Sequence, residues 1–255
     1  MKLIMKLMDK YEIIQNNLIH TNIYSMEIKT PIGKNSKPGM FVMLYLDNGA
    51  NLLPRPISIS DASDNTITLI YAVVGAGTKE LSKFRQGDKI RVMGPIGNGF
   101  NFQKNFKSQK IALVGGGVGV PPIYFLAKDI NNKINSKDID VYLGFREQSI
   151  LEKEFCQYTN HLNISLDKQQ KGNVIDLLKS SGKQYDQIFA CGPTPMLKAL
   201  QSYAKETGVN LEISLEEHMA CGIGTCVGCV VQTTEGTFEK ICTKGPVFQG
   251  GQVVL

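Results

Sequence analysis

The chain has 255 residues, 42% of them apolar, which is enough to bury two or three compact cores. Its net charge of +5 comes from scattered lysines rather than from a dense basic block, which argues against nucleic-acid binding. No apolar run has the length that a membrane span needs, and charged residues interrupt segment 1–10, unlike a signal peptide. We therefore expect a soluble cytoplasmic protein without a membrane or nucleic-acid partner.

The first hundred residues contain short stretches of β-forming residues, separated by turns rich in Gly, Pro, Asn and Asp at 31–33, 38–39, 47–49 and 86–88. The stretches are Tyr11–Ile19, Ile23–Lys29, Phe41–Leu46, Ile57–Ser60, Thr66–Val74 and Lys89–Met93. Many short strands with this punctuation predict an antiparallel barrel or sandwich.

Two loops of this region carry polar groups that suit a phosphate-bearing ligand. In Arg55-Pro-Ile-Ser58, a guanidinium can form paired bonds to a pyrophosphate, and a hydroxyl can reach a ring nitrogen. Gly75-Ala-Gly-Thr78 stands before an amphipathic segment, where helix N–H groups and a hydroxyl can receive an anion. Each motif is weak alone, because Arg-x-x-Ser is a common tetrapeptide and Gly-Thr before a helix is often only a cap.

Residues 110–210 follow the strand–turn–helix order of a nucleotide-binding α/β unit. The elements are the strand Lys110–Val114, the turn Gly115-Gly-Gly-Val-Gly119, the helix Ile123–Lys128, the strands Asp140–Phe145 and Gln187–Ala190, the turn Cys191-Gly-Pro193 and the helix Leu197–Lys205. Both turns follow strands that we expect to be parallel, so they should face one crevice. A flavodoxin-like unit with an empty crevice is the structural alternative.

This unit departs from the standard dinucleotide fingerprint. The glycines read G-x-G-x-G, and no carboxylate follows them at about twenty residues; Glu147 lies 28 residues beyond Gly119 and is preceded by Arg146. The sequence therefore does not separate NAD from NADP. Cys191 is either a small buried residue or part of a nicotinamide pocket.

Four cysteines close the chain in the spacing C-x4-C-x2-C-x12-C, at Cys221, Cys226, Cys229 and Cys242. This is the plant-type spacing of a [2Fe–2S] cluster, and the small residues between the first three let backbone N–H groups approach the sulfurs. Neighbouring cysteines in one tight loop make poor disulfide partners, and zinc would usually show two C-x2-C pairs. The pattern predicts one-electron chemistry.

In this order, the three units resemble the ferredoxin-reductase superfamily and, within it, the iron–sulfur electron-transfer subunits of type B dihydroorotate dehydrogenase. The most specific element is the block from Glu217 to Cys229, followed by Cys242 and Gly245-Pro-Val-Phe248. The resemblance implies an FAD-binding β-barrel at 1–105, an NAD-binding α/β domain at 106–210 and a small [2Fe–2S] domain at 211–255.

The resemblance also implies the site residues. FAD would lie on Arg55, Pro56, Ile57, Ser58, Ile70, Tyr71, Ala72, Gly77 and Thr78. NAD would lie on Gly115, Gly116, Gly117, Gly119, Cys191, Gly192 and Pro193. Cys221, Cys226, Cys229 and Cys242 would hold the cluster. Two departures stand out: Ile57 occupies a position that is often aromatic in the superfamily, and Lys244 stands where an acidic residue is expected.

The implied function is electron transfer from the FMN of a dihydroorotate dehydrogenase catalytic subunit, through the cluster and FAD, to NAD⁺ in pyrimidine biosynthesis. The implied assembly is a heterotetramer with two of each chain, and segment 219–224 is a sensible partner contact. Alternatives are the related subunit of an NADH-dependent ferredoxin–NADP reductase or of a sulfide dehydrogenase, and a non-enzymatic redox sensor. We interpret Glu217 and His218 as a solvated polar pair.

Overall fold

The computed structural model describes residues 7–47, 52–102, 109–169 and 172–255. The predicted turn at 47–49 lies mostly outside these ranges, as do the first six residues of segment 1–10. Within the described ranges, every helix is too short or too polar to cross a bilayer.

The N-terminal region is a closed antiparallel barrel, which confirms the prediction for this region. Its strands are β1 (Leu7–His20), β2 (Ile23–Lys29), β3 (Phe41–Tyr45), β4 (Arg55–Ala62), β5 (Thr66–Ala72) and β6 (Lys89–Ile96). They follow the order β1-β2-β5-β4-β3-β6 around the barrel. Alternate residues point inward, and the interior is filled by aliphatic side chains such as Ile13, Met26 and Leu69.

A short helix, α1 (Ala76–Leu81), follows β5 directly. The sequence predicted an amphipathic segment after Thr78, but the helix starts at Ala76 and therefore includes Gly77 and Thr78 in its first turn. This earlier start places Gly77 against the side chain of Arg55, the first residue of β4.

The remaining residues build a six-stranded sheet with helices and a small hairpin. The strands are β7 (Ile111–Gly116), β8 (Asp140–Phe145), β9 (His161–Leu166), β10 (Gln187–Cys191), β11 (Asn210–Ser214) and β14 (Val247–Gln249), and the hairpin is β12 (Val230–Gln232) with β13 (Phe238–Lys240). The helices are α2 (Val120–Ile134), α3 (Glu152–Phe155), α4 (Val174–Ser180), α5 (Thr194–Thr207) and α6 (Ile241–Lys244).

The sheet order is β14-β11-β10-β7-β8-β9, with β7 to β11 parallel and β14 antiparallel to β11. The α/β unit starts at β7, adds β8 and β9 on one side of it, and then adds β10 and β11 on the other side. The switch point of the sheet therefore lies between β7 and β10. The domain boundaries at 105 and 210 stay predictions. Strands β11 and β14 nevertheless both belong to this sheet, and they flank residues 221–242, which carry the four cysteines and are called the cysteine segment below. This segment is therefore anchored to the sheet at both ends.

One hydrophobic cluster joins all three regions of the chain. It contains Met43 and Met93 of the barrel, Ile213 of the sheet, and Cys229 and Cys242 of the cysteine segment. The cysteine segment is therefore packed against both the barrel and the sheet.

Candidate functional site

A groove of about 440 Å³ separates the barrel from the sheet and from the chain that leads to the cysteines. Its wall on the barrel side consists of Phe41, Arg55, Pro56, Ile57, Ser58, Ile70, Tyr71, Ala72, Val74 and Thr78. Eight of the nine residues that the sequence assigned to FAD therefore line one groove. That FAD binds there stays a prediction.

Gly77, the ninth of these residues, shapes the groove without lining it. A Cβ atom at this position would lie 1.9 Å from Arg55 Nε, so only glycine leaves room for the guanidinium beside α1. The same guanidinium donates a hydrogen bond to the backbone oxygen of Leu53. The arrangement places a cation beside the groove, where it can bind a phosphate.

Thr78 caps the turn before α1, the alternative that the sequence left open, and its contact with FAD stays a prediction. Its hydroxyl accepts hydrogen bonds from the backbone N–H groups of Val74, at 3.0 Å, and Gly75, at 3.2 Å. These contacts hold the turn between β5 and α1, so the hydroxyl and two N–H groups are already used within the protein. A ligand here would meet the outer face of this turn.

The two glycine-bearing turns of the α/β unit, which the sequence predicted to face one crevice, pack against each other. A Cβ atom on Gly119 would lie 2.4 Å from the backbone of Cys191, and one on Gly192 would lie 3.0 Å from the backbone of Gly116. Gly117 has a φ of +53° and nothing near its missing side chain. Its backbone is therefore open to a close approach by a ligand.

Cys191 is fully buried among core residues. Burial raises the pKa of its thiol, the nearby Glu216 carboxyl raises it further, and a hydrogen bond with Ser214 only partly opposes them. The thiol therefore stays protonated, and the structure favours the buried reading over a pocket-lining one.

The far wall of the groove is formed by residues 215–219, directly after β11. Glu217 and His218 are exposed and line the groove, and their interpretation as a solvated polar pair stays a prediction. Glu216, which the sequence analysis did not single out, lines it as well. Its carboxyl keeps solvent-exposed area, yet enough protein surrounds it that burial raises its pKa. The position of Glu216 just after a parallel strand, where ligands bind in open α/β sheets, could have identified it from the sequence.

The cysteine segment brings its sulfurs together as free thiols. The Sγ atoms of Cys226 and Cys221 lie 3.2 Å apart, and the backbone N–H of Cys226 donates to Cys221 Sγ over 3.4 Å. Gly222 and Gly224, with φ of +64° and +82°, provide the turns that expose these N–H groups. The loop is thus shaped to hold a sulfur surrounded by donors.

The protein surroundings shift the pKa values of Cys221 and Cys242 in opposite directions. At Cys221, burial opposes ionisation, but backbone N–H groups of Cys226, Ile223 and Thr225 outweigh it and lower the pKa to about 6. At Cys242, burial and the neighbouring Cys229 raise the pKa to about 11. A bound iron would supply the positive charge that favours the thiolate form of Cys242.

The donor set fits a cluster. Four thiols with adjacent N–H donors are the ligands that a [2Fe–2S] centre requires, spread over two irons. No group of three or more His, Cys, Asp or Glu side chains in the described ranges is arranged around a single metal ion. Lys244, two residues after Cys242, is exposed and leaves the four cysteines intact.

Comparison with known proteins places the chain. Residues 216–254 match the family described as the iron–sulfur cluster binding domain of dihydroorotate dehydrogenase B. A dihydroorotate dehydrogenase B (NAD⁺) electron transfer subunit from Clostridium perfringens is 38% identical over 249 residues, which cover 96% of this chain and 97% of the relative. The chain belongs to this family of electron transfer subunits. The relative from Caldanaerobacter subterraneus is 34% identical and covers 96% of this chain and 98% of its own length.

Solved structures agree with the fold. An NADH-dependent reduced ferredoxin–NADP oxidoreductase superposes with a TM-score of 0.84 at 29% identity, covering 96% of this chain and 89% of the other. A Neisseria gonorrhoeae ferredoxin–NADP⁺ reductase with bound FAD and NADP superposes with a TM-score of 0.65 at 16% identity, covering 79% of this chain and 92% of the other. The ferredoxin-reductase fold and the family resemblance are therefore confirmed.

Proposed function

We propose that this chain is the electron-transfer subunit of an NAD⁺-dependent dihydroorotate dehydrogenase. A partner chain with FMN oxidises dihydroorotate to orotate, a step in the synthesis of UMP, and the electrons leave through this chain to NAD⁺. The balance is dihydroorotate plus NAD⁺ to orotate, NADH and one proton. The catalytic partner performs the chemistry on dihydroorotate, and this chain carries the electrons.

The observation that carries this proposal is the course of residues 215–221. Leu215 and Met219 line the groove, and Cys221 follows two residues later. A flavin in the groove and a cluster on the cysteines would therefore share one short stretch of backbone. That proximity suits electron transfer between the two cofactors.

The residues of the groove fit FAD. The Arg55 guanidinium would hold the pyrophosphate, and Ser58, on the groove-facing side of β4, would hydrogen-bond the flavin ring. Ile57 would pack on the ring with an aliphatic face where relatives of the superfamily use an aromatic one. When bound, FAD converts single electrons to the two-electron form that a nicotinamide accepts.

The glycine turns fit a dinucleotide. Gly115, Gly116, Gly117 and Gly119 would let the pyrophosphate of NAD approach the start of α2, and Gly192 and Pro193 would form the opposite rim, with Cys191 buried behind them. The buried Cys191 would act through its volume, because its thiol stays neutral. Cys221, Cys226, Cys229 and Cys242 would be the ligands of the [2Fe–2S] cluster.

Substitution of one ligand tests this assignment. Cys226→Ser should remove the visible absorbance of the cluster and abolish dihydroorotate-dependent NADH formation by the complex. It should keep FAD and the oxidation of NADH by ferricyanide, because that reaction does not need the cluster. Cys156→Ser is the matched control, since Cys156 is an exposed free thiol outside the segment. Full partner-linked activity in Cys226→Ser would refute the assignment.

A second candidate is the small subunit of an NADH-dependent ferredoxin–NADP reductase. It is favoured by the 0.84 TM-score and 29% identity to that enzyme's structure. The two functions differ in the partner they need. Assay of the purified complex with dihydroorotate and with reduced ferredoxin separates them, and activity with ferredoxin alone would select the second.

We further propose an assembly of two chains of each kind in the cytoplasm. Six free cysteines suit a reducing compartment. Native mass spectrometry of the copurified complex tests the stoichiometry. A mass equal to one chain of each kind would contradict it.

A further inference from the structure

The segment that carries Cys242 is held against the loop of the other three cysteines by contacts with Gly224. Lys240, the last residue of β13, donates a hydrogen bond from Nζ to the backbone oxygen of Gly224 over 2.7 Å. Lys240 is half-buried, and Gly224 lies between Cys221 and Cys226. A single ammonium group therefore joins the cysteine loop to the segment that carries Cys242.

Two further features support the same junction. Gly224 directs its backbone N–H toward the Cys242 thiol, and a Cβ atom on it would lie 2.7 Å from Thr243 Cγ2. The backbone N–H of Ile241 donates to the oxygen of Cys229 over 2.8 Å. The position of Cys242 relative to the loop is thus fixed by contacts on both sides of it.

The charge of Lys240 matters as well as its hydrogen bond. Reduction of the cluster adds one negative charge, and a cation held in a partly buried place is screened less by water than one on the surface. Net charge, hydrogen bonding and exposure are the factors that set the potentials of such clusters. A fixed ammonium at the loop therefore favours the reduced form.

We propose that Lys240 is a positioning residue of the cluster: it locks the Cys242 segment onto the cysteine loop and raises the reduction potential. The proposal rests on the proposed function only in requiring a [2Fe–2S] cluster on the four cysteines.

The experiment compares Lys240→Met, Lys240→Gln and Lys240→Arg with the wild-type complex. The readouts are iron and sulfide per chain and the cluster potential from an EPR-monitored redox titration. Lys240→Met should lower the iron content and, in the chains that keep the cluster, lower the potential enough to change the one-electron equilibrium at least tenfold, which is about 59 mV. Lys240→Gln keeps a donor without the charge, so it should retain iron but show the same lowered potential. Lys240→Arg should stay near the wild-type value.

Lys244→Met is the matched control, because it removes an exposed lysine close to Cys242. Its potential should stay within a threefold change of the equilibrium. A fully loaded Lys240→Gln or Lys240→Met chain with the wild-type potential would overturn the proposal, as would an equal shift in Lys244→Met. Failure of Lys240→Arg to restore iron lost in Lys240→Met would also overturn it. Absence of iron from the wild-type chain would instead refute the proposed function.

Discussion

Gly77→Ala tests whether the space left by Gly77 serves cofactor binding. The new Cβ would meet Arg55 Nε at 1.9 Å, and the atoms beside it at 2.3 Å, all at the far end of a flexible side chain. The guanidinium can therefore swing away without disturbing the backbone. We expect the free energy of unfolding of the cofactor-free chain to change by no more than about 1 kcal/mol, since alanine is also the better helix former.

The affinity for FAD should fall much further. A displaced guanidinium would lose the charge-assisted hydrogen bonds that we propose it makes to the pyrophosphate, worth about 1.5–3 kcal/mol, which corresponds to about 10- to 150-fold in Kd. The assay is titration of the cofactor-free chain with FAD, followed by calorimetry or by quenching of flavin fluorescence. Thermal unfolding of the same samples checks the fold.

Gly75→Ala is the matched control, because nothing lies within 4 Å of its missing side chain and its φ of −165° suits any residue. It should bind FAD like the wild type. Unchanged FAD affinity in Gly77→Ala would show that Arg55 does not hold the cofactor from its present position. A large loss of stability would show instead that the clash falls on the backbone.

Three further predictions concern stability. Gly119→Ala would place a Cβ atom too close to the Cys191 backbone, so overpacking should lower the free energy of unfolding by about 1–3 kcal/mol, measured by urea unfolding. Gly117→Ala has open space for the new Cβ atom, but its φ of +53° disfavours alanine, so the free energy of unfolding should fall by about 1–2 kcal/mol. If Gly119→Ala were as stable as the wild type, the two turns would not be packed as described. Burial raises the pKa of Glu212 despite hydrogen bonds from Asn101 and Gln249, so the folded chain holds this proton more tightly than the unfolded chain. Its stabilising contribution is full below the ordinary value of 4.5 and is lost as pH rises through the raised value. Above pH 4.5, the free energy of unfolding should therefore fall less steeply with pH in Glu212→Gln than in the wild type. Equal slopes of unfolding free energy against pH in the two proteins would contradict this.

The sequence predicted well where the signal was local. The bounds of β2 and β8 agree with the predicted stretches, because each strand is a short β-rich run with clear turns on both sides. β4 begins two residues earlier than predicted, at Arg55. Pro56 reads as a strand breaker, but proline is tolerated near the start of a strand.

The rest depended on contacts between distant residues. β14 is only three residues long and pairs with β11 more than thirty residues earlier, which no local pattern reveals. Likewise, the role of Gly77 depends on Arg55 from a separate strand, and the contact of Lys240 depends on Gly224 across the cysteine segment. The sequence predicted which residue types belong to the site, but it did not predict the contacts between them.

The hydrophobic cluster shared by Met43, Ile213 and Cys229 has a consequence for how this protein matures. Iron bound by Cys229 and Cys242 would attach to two members of this shared core, so metal binding and folding of the core would be coupled. Binding of the metal to the folded chain alone would then raise the free energy of unfolding of the barrel, the sheet and the cysteine loop together.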